Sequence, residues 1–146
     1  MLRLISHFKT MGLIDIFFNI PRAKGQFVSA KAYNINRSKL LNIPSEVLEQ
    51  LHNMEKQVQK EIKLEYTFYT NTAEKAGRLA FEIEKLGYTV EQCPDPANKK
   101  LFMVTGWTTT MKPADTLILK WTEDMCELGY KFDCEFDGWM TDPGLD

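Results

Sequence analysis

Two histidines, three cysteines and a crowd of carboxylates near the end are the side chains of this sequence that could do chemistry. A histidine can carry a proton near neutral pH, but catalysis also needs a nucleophile or a second acid–base group at a defined spacing. His7 lies in a weakly patterned N-terminal stretch, and His52 falls at the edge of a helical stripe. Cys93, Cys126 and Cys134 are odd in number and lack CxxC spacing. They read as reduced core thiols, not as a disulfide frame or a zinc site. Gly12 and Gly106 stand alone, so no glycine-rich phosphate loop is present. The stretch from Lys100 to Trp107 contains Phe102 but lacks the basic-Gly-aromatic spacing of an RNA-binding strand. The sequence therefore predicts no catalytic residue, no metal, no cofactor and no direct contact with nucleic acid.

The carboxylates are the remaining signal. Residues 113–146 hold nine acids against Lys120 and Lys131, whereas residues 1–43 hold seven basic residues against Asp15 alone. Glu123, Asp124 and Glu127 share a helical stretch. Asp133 and Glu135 alternate on the strand that follows, with Asp137 next. Acids at i, i+2 could hold a divalent cation only within a completed shell, and no histidine or loop motif completes one. What is left is docking, since an acidic face speeds encounter with a basic partner and sets partner choice. The polarity divides the chain into a basic N-terminal extension, 1–43, and a body, 44–146.

These side chains need a scaffold. The chain has 146 residues, 44% hydrophobic and 26% charged, which suits one domain with a sizeable core and argues against disorder. No apolar run approaches the ~18–20 residues of a transmembrane helix. The apolar stretch 11–20 contains Asp15 and Asn19 and makes a poor signal peptide, so a cytoplasmic location is expected. Residues 1–43 suggest only short helices near 2–9 and 12–20, then a loop opened by Pro21 and Gly25. From Pro44 onward, Val47, Leu51, Met54, Val58 and Ile62 recur at helical spacing and predict a helix of about 18 residues. Leu64–Thr70 alternates and predicts a strand. Thr72 and Gly87 bracket a helix over 72–86. Strands follow over 88–93 and 100–109, then a helix over 113–128 and a strand over 131–136. Asp137-Gly138-Trp139 is expected to turn out of the sheet, with Trp139 buried as a plug at the end of the core.

The order β-α-β-β-α-β predicts an α+β fold, a ferredoxin-like plait with an antiparallel sheet and both helices on one face, preceded by an extra helix and the basic arm. Right-handed crossovers place strands one and three in the middle. The third strand is apolar on both faces, so the leading helix, the arm or a second copy in a homodimer is expected to cover the sheet's other face.

The run Phe132-Asp133-Cys134-Glu135-Phe136-Asp137-Gly138-Trp139 resembles the terminal signature of the family called regulator of ribonuclease E activity B. Ala73–Ala76 and Lys85-Leu86-Gly87-Tyr88-Thr89-Val90 are similar to that family's first helix and its exit, so the likeness spans roughly residues 46–143. Met140 stands where the family usually has glycine, and the basic arm is extra. The resemblance implies a non-catalytic protein that binds an RNA-degrading endoribonuclease, or its scaffold region, and inhibits it by docking. On that reading the partner-binding residues are Glu123, Asp124, Glu127, Asp133 and Glu135, with Asp137 and Trp139 beside them. The competing readings are a small-ligand-binding or catalytic plait, with a cavity lined by Asp137, Trp139 and His52, or an immunity-type partner of another basic protein.

Overall fold

The computed structural model describes residues 25–57 and 60–141. The readings made on residues 1–24, including both short helices, His7 and four of the seven basic residues, lie outside that range, as do Val58, Asp142 and Asp146. The elements run α1 (Ala30–Leu41), α2 (Ser45–Glu55), β1 (Leu64–Thr70), α3 (Ala73–Glu84), β2 (Glu91–Pro94), β3 (Phe102–Trp107), α4 (Asp115–Lys131) and β4 (Glu135–Thr141). The strands form one antiparallel sheet in the order β2-β3-β1-β4, so β1 and β3 lie in the middle and β4 is an edge.

The alternation of β1 explains the layering. Leu64, Tyr66, Phe68 and Thr70 are fully buried, while Glu65, Thr67 and Tyr69 between them are half-exposed. The buried face meets two helices. Leu79 and Ile83 of α3 and Ile118, Trp121 and Met125 of α4 belong to the same core cluster as Tyr66 and Phe68. The Trp121 ring stands edge-on to Phe136 at 5.8 Å, and its indole N–H donates to the Tyr88 hydroxyl at 3.1 Å. α3 begins where Thr72 Oγ1 accepts the Lys75 N–H at 3.2 Å, satisfying a first-turn donor that no helical carbonyl can reach.

Several boundaries differ from the sequence reading. The fold is α+β as expected, but it is not a plain plait: two helices precede β1, β2 has only four residues, and β4 carries an irregularity. α2 stops at Glu55, and Ile62 is extended, exchanging backbone bonds with Met111 at 2.8 Å instead of ending an 18-residue helix. α1 occupies a stretch where the sequence predicts a loop. Ser29 caps it by accepting the Ala32 N–H, and its one buried side chain, Tyr33, stacks on Tyr130 at 4.5 Å. α1 and α2 pack against α4 and the β4 side of the molecule, not on the half-exposed sheet face that was expected to receive the leading helix.

The join between α4 and β4 holds the N-terminal segment in place. Asp133 has φ 58°, a left-handed conformation that usually calls for glycine. Its N–H bonds to the Tyr130 carbonyl and the Cys134 N–H to the Gly129 carbonyl, the paired closure of a Schellman helix end. A Cβ on Gly129 would lie 2.8 Å from the Cys134 carbonyl and from the Phe68 ring, so this close turn requires glycine there. Turning left-handed aims the Asp133 carboxylate back across the molecule. It accepts the N–H groups of Phe27 at 2.7 Å and Val28 at 2.8 Å, and Lys75 Nζ reaches it at 2.6 Å.

Candidate partner-docking surface

β4 is built around one surplus residue. Its register on β1 shifts between Thr67 and Phe68, which oppose Gly138 and Phe136, leaving Asp137 unpaired in a β-bulge. Gly138 supplies the φ of 114° that the bulge needs. A Cβ there would also press on Leu40 of α1 at 3.4 Å. The Asp-Gly pair thus makes an irregularity inside the strand and not a corner after it, and β4 runs on to Thr141. This corrects the turn expected at 137–139. Trp139 is half-buried and not the plug expected. It packs at the margin of the core, in a groove of about 700 Å³ where the α1–α2 connection passes β4. Lys39, Leu40, Ile43 and Val47 line one wall, and Trp139 and Met140 the other. Met140 is 62% exposed, so this apolar strip faces solvent.

The charges beside the groove are poorly compensated. Asp137 is an exposed residue, but partial burial of its carboxyl raises it above its ordinary value, and Lys39 only partly offsets this. Burial also raises Glu135, Asp137 raises it further, and Lys39 again opposes. Tyr69, whose partner across the ladder is Glu135, is raised by burial, then by Asp137 and Asp95. A raised carboxyl means that the folded protein holds its proton to higher pH than the unfolded chain does. Stability therefore falls as pH rises above the ordinary carboxylate range, and the ionised Asp137 costs stability at neutral pH. Asp137→Asn is accordingly expected to raise the urea midpoint at pH 7 slightly, by less than about 1 kcal/mol because solvent screens the group. The gain should disappear near pH 3, and a destabilised Asn variant at pH 7 would contradict this account.

The other acids of the expected docking face are not on the surface. Glu123, Asp124, Glu127 and Asp133 are only 7%, 1%, 5% and 9% exposed. Arg37 of α1 pairs with Glu123, Lys120 with Asp124 at 2.7 Å, and Lys75 with Asp133. Asp133 does not lie on the strand beside Glu135, because β4 starts two residues later. Of the seven proposed site residues the structure brings Glu135, Asp137 and Trp139 together at the β4 edge. The four buried acids instead serve contacts within the chain, so the premise of an exposed acidic helix face does not hold.

The groove also differs from the cavity imagined for a catalyst. It contains Asp137 and Trp139, but His52 lies elsewhere, 3.3 Å from Asp115 at the start of α4. Burial pushes the Cys126 and Cys134 thiols up to about 12, far from a reactive thiolate. Among the described residues no three His, Cys, Asp or Glu side chains converge as a metal site would require. No described helix is long and apolar enough to cross a membrane. Lys39 and Leu40 were not singled out from the sequence, and Val47 was read only as part of a helical stripe, because their place in the groove depends on α1 and α2 folding against β4. For Lys39 and Leu40 the only sequence signal is Pro44, which stands at the start of α2.

A model of the family described as regulator of ribonuclease activity B matches residues 42–141, which includes α2, the whole sheet and both helices behind it. No curated protein matches the chain.

Proposed function

Because this chain belongs to the regulator of ribonuclease activity B family, we propose that it binds an RNA-degrading endoribonuclease of the ribonuclease E kind and lowers its activity by docking. The observation that supports this best is the pairing of Glu135 and Asp137, two carboxylates whose charges are disfavoured where they stand, with the solvent-facing apolar strip of Trp139 and Met140. Groups that are locally unfavourable are expected where function, not stability, selects them. A basic segment of the nuclease would supply the counter-charge that Lys39 alone does not. The same carboxylates would repel RNA phosphates, so the contact is protein to protein. The reading takes the β-α-β-β-α-β body as a ferredoxin-like plait used as a platform, in the cytoplasm, without chemistry of its own.

The test is a titration of the purified, full-length endoribonuclease with wild type and with Asp137→Lys, at two salt concentrations, followed by RNA cleavage assays. Reversal of one rim charge is expected to slow association by about three- to tenfold, with less effect at high salt. Inhibition should weaken in parallel. A wild-type protein that neither binds nor inhibits would overturn the proposal.

A further inference from the structure

We propose that the outer edge of β4 is a strand-addition site, at which an extended, basic segment of the partner pairs with Trp139 and Thr141 and lays an apolar side chain in the adjoining groove. This rests on the reading that the partner is a protein and goes on to say how it is held.

The ladder identifies which backbone groups face outward. In an antiparallel pair, alternate residues direct both their N–H and C=O to the same neighbour. Tyr66 and Leu64 turn theirs towards the β3 side, since the Tyr66 carbonyl accepts from Thr105 Oγ1 at 2.8 Å and the Leu64 carbonyl from the Thr108 N–H at 2.9 Å. Their partners across β4, Trp139 and Thr141, therefore point away from β1, beyond the last strand of the sheet. Further back on the same edge, the Phe136 carbonyl accepts Asn36 Nδ2 at 2.7 Å, so α1 covers the edge there. The bulge at Asp137 separates this covered stretch from Trp139 and Thr141. An edge with outward donors and acceptors, set beside a pocket for alternate side chains, is the arrangement by which one chain adds a strand to another.

Charge selects the occupant. The β4 of a second copy carries Glu135 and Asp137 but no lysine or arginine, so it would add acids to the edge and supply no counter-charge. A segment carrying lysine or arginine meets the same two acids favourably. Its apolar side chains would have Leu40, Val47 and Trp139 to lie against.

The experiment uses the full chain with the purified full-length endoribonuclease as probe. Thr141→Pro removes the outward N–H, and an edge strand tolerates proline where that N–H faces solvent. Thr141→Val keeps it. Affinity is expected to drop about tenfold or more for the proline variant and to stay within about threefold for the valine variant. Amide exchange at Trp139 and Thr141 should slow when the nuclease is bound to wild type. If wild type binds, yet Thr141→Pro binds equally well and both amides stay unprotected, strand addition is overturned while the regulatory reading stands. If wild type does not bind at all, both fall. A concentration-dependent wild-type dimer that protects the same two amides without the nuclease would assign the edge to a second copy and overturn the proposed occupant.

Discussion

Asp133→Ala is expected to lower stability by about 3 kcal/mol, because it strips partly buried donors of a charged acceptor while leaving them in place. The Phe27 and Val28 N–H groups and Lys75 all lose the same carboxylate, and alanine tolerates the left-handed φ of 58° less well than aspartate does. Asp133→Gly separates the two effects. It relieves the backbone and should recover about 1 kcal/mol of the loss. The remaining deficit measures the tether. The carboxyl responds to pH in a sense set by opposed causes. Burial raises its pKa, but Lys75 and the two backbone donors outweigh burial and hold it below the ordinary value. The tether is therefore fully present above about pH 4 and is lost as pH falls through the lowered folded value. The gap in urea midpoint between wild type and Asp133→Gly should be wider at pH 7 than at pH 2.5. A constant gap would show that the carboxylate is not the source.

Trp121→Ala is expected to cost about 3–5 kcal/mol, the range for deleting a buried large aromatic. Trp121 is 1% exposed and touches both layers through Phe136 and the Tyr88 hydroxyl, so its loss leaves a cavity and an unmatched buried hydroxyl. Trp121→Phe should lose less, because the edge-on contact survives while the indole donor does not. The check is an unfolding curve followed by far-UV circular dichroism. A midpoint unchanged in Trp121→Ala would mean that the helix layer does not rely on this ring.

The comparison of the two tryptophans shows what was legible in the sequence. Trp121 falls on a helical stripe with Ile118 and Met125, and periodicity alone places it in the core. Trp139 follows Asp-Gly, a pair that signals a turn between strands but here supplies a bulge within one. The local preference for positive φ was legible, and its use was not, because the bulge is defined only by the strand it opposes. β1 was legible to the residue, since its alternation reports a half-covered sheet directly. α1 was not. It buries a single side chain and is fixed by polar links, Asn36 to the Phe136 carbonyl and Arg37 to Glu123, so no apolar stripe marks it. The misplaced acids have a related cause. An acid opposite a cation and an acid opposite water look alike in sequence, and only the tertiary placement of Arg37 on Glu123, Lys120 on Asp124 and Lys75 on Asp133 distinguishes them. Of the docking surface, Glu135 and Asp137 could be read from the acidic run and its alternation, and Trp139 from the Asp-Gly-Trp signature on which the family resemblance rests.

The Asp133 carboxylate lies 106 residues beyond the Phe27 N–H it holds, and β4 reaches back past two helices and two strands to pair with β1. During synthesis these contacts form only after the elements between their partners have been made. Until β4 is made β1 is an edge of the sheet, and until Asp133 is made the Phe27 and Val28 N–H groups lack their acceptor. A chain that lacks β4 would present β1 as an open, aggregation-prone edge.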